Sequence, residues 1–153
     1  MERNQGLRGS GYRSGLQDFV RQVAEEENVP YYVLDALIQK ESEYNPNARS
    51  RKGAVGLTQL MVPTAKEVGV DPYIPEENIR GGARYLANML KRFGNMDKAL
   101  VAYNAGPGKV GKPPRQAVGY SKGVLKLARQ LEPWEVEGFD ENPLATSLRG
   151  FTR

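Results

Sequence analysis

Apolar residues recur at helical spacing through most of the chain. The first stripe consists of Leu16, Phe19, Val20 and Val23, at positions i, i+3, i+4 and i+7, which places them on one face of a helix. Similar stripes follow, and Pro, Asn or Gly residues separate them. The pattern predicts helices that begin near Leu16, Pro30, Pro63, Pro75, Asn95 and Pro114.

The same pattern gives little sign of β-structure. The sequence contains no internal repeat and no useful length of alternating apolar and polar residues. We therefore predict an all-α fold, a single compact helical domain over residues 16–131 with six or seven helices, a cleft, and room for a small β-hairpin in the loop at 45–58. Residues 1–15, rich in Gly, Arg and Ser, are expected to form a flexible lead, and residues 132–153 a tail or linker.

The second predicted helix ends on an acidic residue. Glu41 lies one turn beyond Leu37 on the apolar face of that helix. Since most glutamates are solvated, the simplest interpretation is an exposed acid at a helix C-terminus, where the helix dipole disfavours negative charge. The glycine-containing segment 53–59 and the Tyr–Asn pair at 103–104 favour another interpretation, a carboxyl group held beside a binding groove.

Two missing residue types narrow the chemistry. The 153 residues include no Cys and no His, which excludes disulfides, thiol nucleophiles, Cys-rich zinc sites and catalytic pairs that use histidine. Acid–base chemistry must then use Asp, Glu, Lys or Tyr, and we predict neither a metal nor a cofactor. The net charge of +4 favours a polyanionic partner without choosing among nucleic acid, an anionic membrane and a cell-wall polymer.

Two short motifs match their patterns only in part. Residues 106–113 follow a phosphate-binding loop until its last position, where Pro113 replaces the Ser or Thr that would hold magnesium. Residues 119–123 follow the G-x-S-x-G pattern of a nucleophile elbow, which needs a histidine base that the chain lacks. Both segments also lack the preceding strand, so neither motif indicates a function.

Four blocks of the sequence resemble the catalytic domain of lytic transglycosylases, the soluble family with a goose-type-lysozyme-like fold. They occur in the family's order over roughly residues 16–131, and it is the four together that make the signal strong. The blocks are ALIQKESEYNPNARSRKGAVGLTQLM, NIRGGARYLANML, ALVAYNAGPGKV and AVGYSKGVLKL. The resemblance implies a fold of the lysozyme-like α+β superfamily and cleavage of the β-1,4 bond between N-acetylmuramic acid and N-acetylglucosamine in peptidoglycan.

The resemblance also implies a set of site residues. It places the single catalytic acid at Glu41, with Tyr120 helping to orient it. Two positions depart from the family's pattern, because Thr58 stands where Met is common and Gln116 falls where many members carry a glutamate. The implied substrate-binding residues are Ser42, Ser50, Thr58, Gln59, Tyr103, Asn104, Gln116 and Tyr120.

The reaction that the resemblance implies needs only one acid. Glycoside cleavage normally uses two carboxylates, and Glu43 would point to a different face of the helix from Glu41. In the family, the sugar's own 2-acetamido group assists departure of the leaving sugar. Glu41 would protonate the glycosidic oxygen and then take the proton of the muramyl 6-hydroxyl as it attacks C1, which leaves a 1,6-anhydro end. Partial burial of Glu41 would raise its pKa enough for this role.

The place of action is the last expectation. No apolar run approaches the length of a membrane helix, and residues 1–15 lack the apolar core of a secretory signal. We expect action on the cell wall in the periplasm, either from a virion, which is slightly favoured, or after export without a visible signal. The expected partners are peptidoglycan strands, and beyond them virion proteins or a larger parent chain, but no nucleic acid.

Two other functions fit the same residues. A lysozyme-type hydrolase on this fold is the near alternative, and a non-catalytic wall-binding or structural virion module is the distant one. Trp134, the sole tryptophan, would stack on sugar or pack the tail onto the domain.

Overall fold

Helices make up most of the computed structural model, which describes residues 11–131. The all-α prediction is confirmed, and each expected helix is present within a few residues of its predicted start. A short 3-10 helix, Pro107–Lys109, lies between the last two α-helices. Residues 11–131 contain six α-helices, which are α1 (Gly11–Glu27), α2 (Tyr31–Ser42), α3 (Val62–Val68), α4 (Pro75–Phe93), α5 (Met96–Ala105) and α6 (Arg115–Leu131).

The first helix begins earlier than its apolar stripe. It starts at Gly11, so residues 11–15 are helical and the predicted lead is too long at this end. A tertiary contact, which periodicity does not reveal, supports the first turns: the guanidinium of Arg13 lies 4.8 Å from the ring centroid of Tyr44. The rest of the predicted lead, and the tail with Trp134, lie outside the described residues.

The small hairpin predicted after Glu41 does not form within the described residues. Two isolated antiparallel bridges, Arg49–Val55 and Val55–Leu60, take its place. The chain reverses direction twice over a few residues, and Gly53 and Gly56 take the positive φ values that these reversals need. Each reversal leaves a single paired residue instead of a strand.

The apolar face of α2 lies at the centre of the domain. Leu34, Leu37 and Ile38 are fully buried, together with Leu86 of α4 and Leu100 of α5. Helix α5 packs between α4 and α6, and α6 also packs on α2. Glu41, at the end of the buried face of α2, is therefore held against the core instead of projecting from the surface.

A two-residue left-handed turn ends α2 just after the catalytic candidate. Glu43 and Tyr44 have φ values of 52° and 62°, which are unfavourable for residues with a side chain. The compensation is that Tyr44 is completely buried and donates a hydrogen bond to the carboxyl group of buried Asp35. The amide of Gln17 in α1 also reaches Asp35, at 3.4 Å. This cluster joins α1 to the turn and fixes where α2 ends.

The loop at 48–60 is fastened to α4 by one buried asparagine. The amide nitrogen of Asn78 donates to the carbonyl oxygens of Val55, at 2.8 Å, and Pro72, at 2.9 Å. Its amide oxygen accepts from the backbone N–H of Thr58, at 2.9 Å, and from the Thr58 hydroxyl, at 2.7 Å. All the hydrogen-bonding groups of the buried side chain are thereby satisfied, as burial requires.

Two glycines allow the loop and the helix to come this close. A Cβ atom at Gly56 would lie 2.7 Å from the amide nitrogen of Asn78, and one at Gly82 would lie 2.5 Å from the Cβ of Thr58. Both distances are shorter than real carbon contacts allow. The loop can therefore pack on α4 only with glycine at these two positions.

Replacement of Asn78 by Ala is expected to cost about 3 kcal/mol or more of unfolding free energy, because Thr58 N–H and the Val55 and Pro72 carbonyls lose a buried partner. Urea unfolding followed by circular dichroism measures this. Asn88→Ala, an exposed asparagine on the same helix, is the control and should change stability by less than about 0.5 kcal/mol. Equal effects of the two substitutions would contradict the role given to Asn78.

Candidate active site

A cleft of about 570 Å³ lies beside Glu41. One wall comes from the loop after α2, through Ser50 and Gln59, and the other from the end of α5 and the start of α6, through Tyr103, Asn104 and Gln116. A second cavity of about 280 Å³ shares Gln59, Tyr103 and Asn104 with the first. Because the two cavities share these lining residues, they adjoin and are treated together as one groove.

Burial keeps the carboxyl group of Glu41 protonated to an unusually high pH. Loss of hydration raises its pKa from 4.5 to about 7, and a hydrogen bond from Tyr120 lowers the pKa by a smaller amount. The Tyr120 hydroxyl donates to Oε2 of Glu41 at 2.7 Å. Burial and the nearby carboxyl group raise the pKa of Tyr120 well above its usual value, so Tyr120 remains a donor.

The second oxygen of Glu41 is free to exchange a proton. Within residues 11–131, Oε1 makes no hydrogen bond, whereas Oε2 is held by Tyr120. The hydrogen bond to Oε2 therefore fixes the orientation of the carboxyl group, and Oε1 is left to exchange a proton with a ligand.

Gln59 presents an oxygen to the groove. Its backbone has a φ of 50°, and both hydrogens of its side-chain amide are donated to the loop, to the carbonyls of Gly56 at 2.8 Å and Ala48 at 3.2 Å. Because both of these partners are acceptors, the amide nitrogen must face them and the amide oxygen must face away. Gln59 can therefore accept a hydrogen bond from a ligand's O–H or N–H.

Tyr103 and Asn104 have different roles: Tyr103 connects two elements of the fold, and Asn104 faces the groove. The Tyr103 hydroxyl donates to the backbone oxygen of Thr58 at 2.8 Å, and its ring lies 5.5 Å from that of Tyr85 in a tilted arrangement. Tyr103 therefore joins α5 to the loop while one side of its ring lines the groove. Asn104 is exposed, lines both cavities, and leaves its amide for a ligand.

Two further predicted residues lie at the margins of the cleft. Ser50 is exposed, and its hydroxyl oxygen accepts from the N–H of Ala54 at 2.9 Å, which leaves the hydroxyl proton to donate. Gln116, near the start of α6, is exposed and lines the cleft as well. Both positions are suited to polar contact with a sugar.

Two predicted substrate-binding residues have structural roles instead. Thr58 is completely buried, with its hydroxyl on Asn78, so its side chain cannot contact a sugar, and this expectation is corrected. The hydroxyl of Ser42 donates to the backbone oxygen of Leu57 at 2.7 Å and lies 3.1 Å from that of Ile38. Ser42 does not line the cleft and ties the end of α2 to the loop.

Sequence reasoning gave no role to Asn78, although the site depends on it. It lies inside a quoted block and next to the apolar Ile79, but nothing in a helical pattern separates a buried asparagine from an exposed one. The sequence offers one usable signal. Two glycines, Gly81 and Gly82, lie within about one helical turn of Asn78, and glycines inside a helix usually indicate that another segment packs closely there.

The raised pKa of Glu41 makes stability depend on pH, with a definite sign. Below about pH 4.5 the carboxyl group is protonated in both states, and above about pH 7 it is ionised in both, so the folded protein loses stability between these values, by roughly 3 kcal/mol. Glu41→Gln removes this loss. We expect the variant to gain stability relative to the unmutated protein as pH rises through this window.

Chemical denaturation at a series of pH values measures the difference between the two proteins. Glu43→Gln, which removes the same charge from an exposed glutamate two residues away, is the control. A flat difference for Glu41→Gln would show that its pKa is not raised by folding.

Comparison with known proteins supports a family assignment. The chain is 45% identical over 110 residues to membrane-bound lytic murein transglycosylase F of Shewanella loihica, an alignment that covers 65% of this chain and 23% of that protein. It is 38% identical over 120 residues to the transglycosylase of Enterobacteria phage PRD1, covering 69% of this chain and 45% of that protein. The chain thus spans less than half the length of either relative.

Solved structures give the same result. A crystal structure of an inactive mutant of lytic transglycosylase Slt from Pseudomonas aeruginosa aligns with a TM-score of 0.72 and 28% identity, covering 80% of this chain and 24% of that one. The 70 kDa soluble lytic transglycosylase of Escherichia coli aligns with a TM-score of 0.71 and the same identity and coverage. The family model described as the transglycosylase SLT domain matches residues 18–125, and the chain therefore belongs to that family.

Proposed function

We propose that this domain is a peptidoglycan lytic transglycosylase. It cleaves the β-1,4 bond between N-acetylmuramic acid and N-acetylglucosamine and leaves a 1,6-anhydro end on the muramyl sugar. The observation that carries the proposal is the state of Glu41, a partly buried carboxyl group with a pKa raised to about 7 on the wall of an open groove. Among the described residues, no other carboxyl group lines this groove.

Glu41 acts first as a general acid. With a pKa of about 7, a large fraction of the groups carry a proton near neutral pH, which an ordinary glutamate would have lost. Tyr120 holds Oε2, so Oε1 donates the proton to the glycosidic oxygen as the bond to C1 breaks. The sugar's 2-acetamido group supports the positive charge that develops at C1.

Glu41 then acts as a general base within the same site. The ionised carboxylate takes the proton of the muramyl 6-hydroxyl, whose oxygen attacks C1 and closes the 1,6-anhydro ring. Because the nucleophile belongs to the sugar itself, the step benefits from a high effective concentration and needs no bound water. One carboxyl group is sufficient, since it returns to its protonated state at the end of the cycle.

The neighbouring residues position the sugar for these two steps. The free oxygen of Gln59 accepts a hydrogen bond from the sugar, Asn104 and Ser50 offer polar groups along the groove, and the ring of Tyr103 provides an apolar wall. Gln116 contributes at the α6 side. Tyr120 contacts Glu41 and sets its orientation and pKa.

Residues 11–131 place no second carboxyl group on the groove, which favours this reaction over hydrolysis. A hydrolase of the usual kind uses a second carboxylate as nucleophile or as the base that activates water. Glu43, the nearest acid in sequence, is exposed, follows the end of α2 and does not line the groove. The relatives support the same choice, because they are named transglycosylases, and the inactive Pseudomonas variant carries glutamine in place of a glutamate.

The cell wall is the place of action that fits this substrate. Among residues 11–131, no helix combines the length and the apolar character needed to cross a membrane. The relatives include a bacterial membrane-bound protein and a phage protein, which support action at the wall by either route. Association with a virion stays a prediction, as do virion proteins or a larger parent chain as partners.

Replacement of Glu41 by Gln should reduce cleavage of purified peptidoglycan by at least about a hundredfold, since the proton donor is lost. Mass spectrometry should show that the unmutated protein releases products one water lighter than reducing ends. Glu43→Gln is the matched control and should retain activity. Reducing-end products would indicate a lysozyme-type hydrolase, and undiminished cleavage by Glu41→Gln would refute the assignment of the acid.

Replacement of Tyr120 by Phe should shift the alkaline limb of the pH–rate profile to higher pH. The Tyr120 hydrogen bond lowers the pKa of Glu41, so its removal raises that pKa and keeps the acid protonated for longer. Activity at the optimum should fall by roughly tenfold because the carboxyl group loses its orienting partner. Tyr73→Phe, at a ring that is 60% exposed, is the control and should leave the profile unchanged. If the alkaline limb of the Tyr120→Phe profile does not move, Tyr120 does not influence the pKa of Glu41.

A further inference from the structure

Three cationic side chains line the cleft beside Glu41. Arg51 and Lys52 come from the loop after α2, and Lys109 comes from the end of the 3-10 helix that follows α5. All three are exposed, and Lys52 also lines the second cavity. The cations therefore come from both of the chain segments that form the groove.

The loop cations sit on a turn that the backbone holds firmly. The N–H of Gly53 donates to the carbonyl of Ser50 at 3.1 Å, and Ser50 in turn receives the N–H of Ala54 on its hydroxyl at 2.9 Å. Gly53 takes a φ of 97°, which closes the turn. Arg51 and Lys52 are the two central residues of this turn, so the backbone directs both of them to the rim of the cleft.

These cations have no acidic partner in the described part of the chain. The ion pairs among residues 11–131 are Arg80–Glu26 and Arg84–Glu27, which join α4 to α1. Of the acids in the described part of the chain, Glu41 alone lines the groove, and partial burial keeps it from being a full negative charge near neutral pH. The groove therefore presents positive charge to whatever binds in it.

The sugar backbone gives these charges nothing to bind. N-acetyl sugars linked by β-1,4 bonds are uncharged, and neutral hydroxyl and amide groups need no cluster of cations. The anionic groups of peptidoglycan are carboxylates attached through the lactyl side of the muramyl sugar. They belong either to the peptide stem or, where the stem has been removed, to the lactyl group itself.

We propose that Arg51, Lys52 and Lys109 form a carboxylate-binding rim that selects muramyl residues carrying a negative charge on their lactyl side. The inference rests on the proposed function and adds a charge requirement to its substrate. Exposed cations attract an anionic ligand over a distance and need no rigid pairing with it. Because water and salt screen exposed charges, we expect their contribution to affinity to be modest and to fall as the salt concentration rises.

Binding of three strands of equal length to the Glu41→Gln protein tests the rim without turnover. The strands are peptide-bearing peptidoglycan oligomers, the same oligomers after removal of their stems by an amidase, and a neutral oligomer of N-acetylglucosamine. At about 0.05 M salt at least one anionic strand should bind about tenfold more tightly than the neutral strand, and the difference should shrink at about 0.3 M salt. The anionic strand that binds more tightly shows whether the recognised carboxylate belongs to the peptide stem or to the lactyl group.

Charge removal assigns the effect to the rim. Lys52→Gln combined with Lys109→Gln should weaken binding of the anionic strand by about tenfold and leave the neutral strand within about twofold. Lys66→Gln combined with Lys126→Gln removes the same charge from exposed positions outside the groove, and it should change the binding of neither the anionic nor the neutral strand. Unchanged binding of the anionic strands by the rim variant, or equal affinity for all three strands, would overturn the inference.

The result is separable from the proposed function. Equal binding of all three strands, with anhydro products still released by the unmutated chain, refutes only the charge requirement. Absence of binding to any strand, with no cleavage by the unmutated chain, refutes the proposed function itself.

Discussion

The hydrogen bonds of Asn78 are the constraint on which the groove depends. The loop at 48–60 has almost no regular pairing of its own, only two isolated bridges, and yet it forms one wall of the groove. Its position relative to the helices is set by the buried amide of Asn78, which binds Val55, Pro72 and Thr58. An irregular loop fixed by a fully satisfied buried side chain can be as rigid as a strand, because an alternative position would leave those groups unpaired in an apolar interior.

That attachment is transmitted directly to the residues around the acid. The backbone oxygen of Thr58, next to its bonds with Asn78, receives the hydroxyl of Tyr103, while Gln59 secures the loop from the other side through Gly56. At the end of α2, Ser42 donates to Leu57 of the same loop. Helix α2, the loop and α5 are therefore linked around the groove, and Glu41 keeps its burial because the wall beside it cannot move away. The same burial destabilises the ionised form by roughly 3 kcal/mol, so the fold must hold the acid against that penalty.

The sequence predicts the parts of this arrangement that depend on spacing. Helical periodicity places the helices and leads to Glu41 at the end of an apolar face, and Pro75 and Asn95 mark helix starts that the structure confirms. Spacing within a motif does not reveal which side chains face inward, and Thr58, which the resemblance places at the sugar, is completely buried. Periodicity does not predict the first turns of α1 for a related reason, since the contact of Arg13 with Tyr44 joins residues far apart in the chain. Asn78 is the hardest case, because its role exists only once a loop more than fifteen residues away packs on it.

The cations proposed to bind the substrate and the carboxyl group proposed to react with it occupy different parts of the groove. Burial is the main cause of the raised pKa of Glu41 and the Tyr120 hydrogen bond opposes it, whereas none of the rim cations affects it appreciably. A cation close enough to bind the acid would stabilise its ionised form and lower the pKa, which would remove the proton needed for the first step. Positive charge can therefore serve this groove only at its rim, where Arg51, Lys52 and Lys109 lie exposed to solvent. The rim cations can therefore attract an anionic strand without removing the proton that Glu41 must donate.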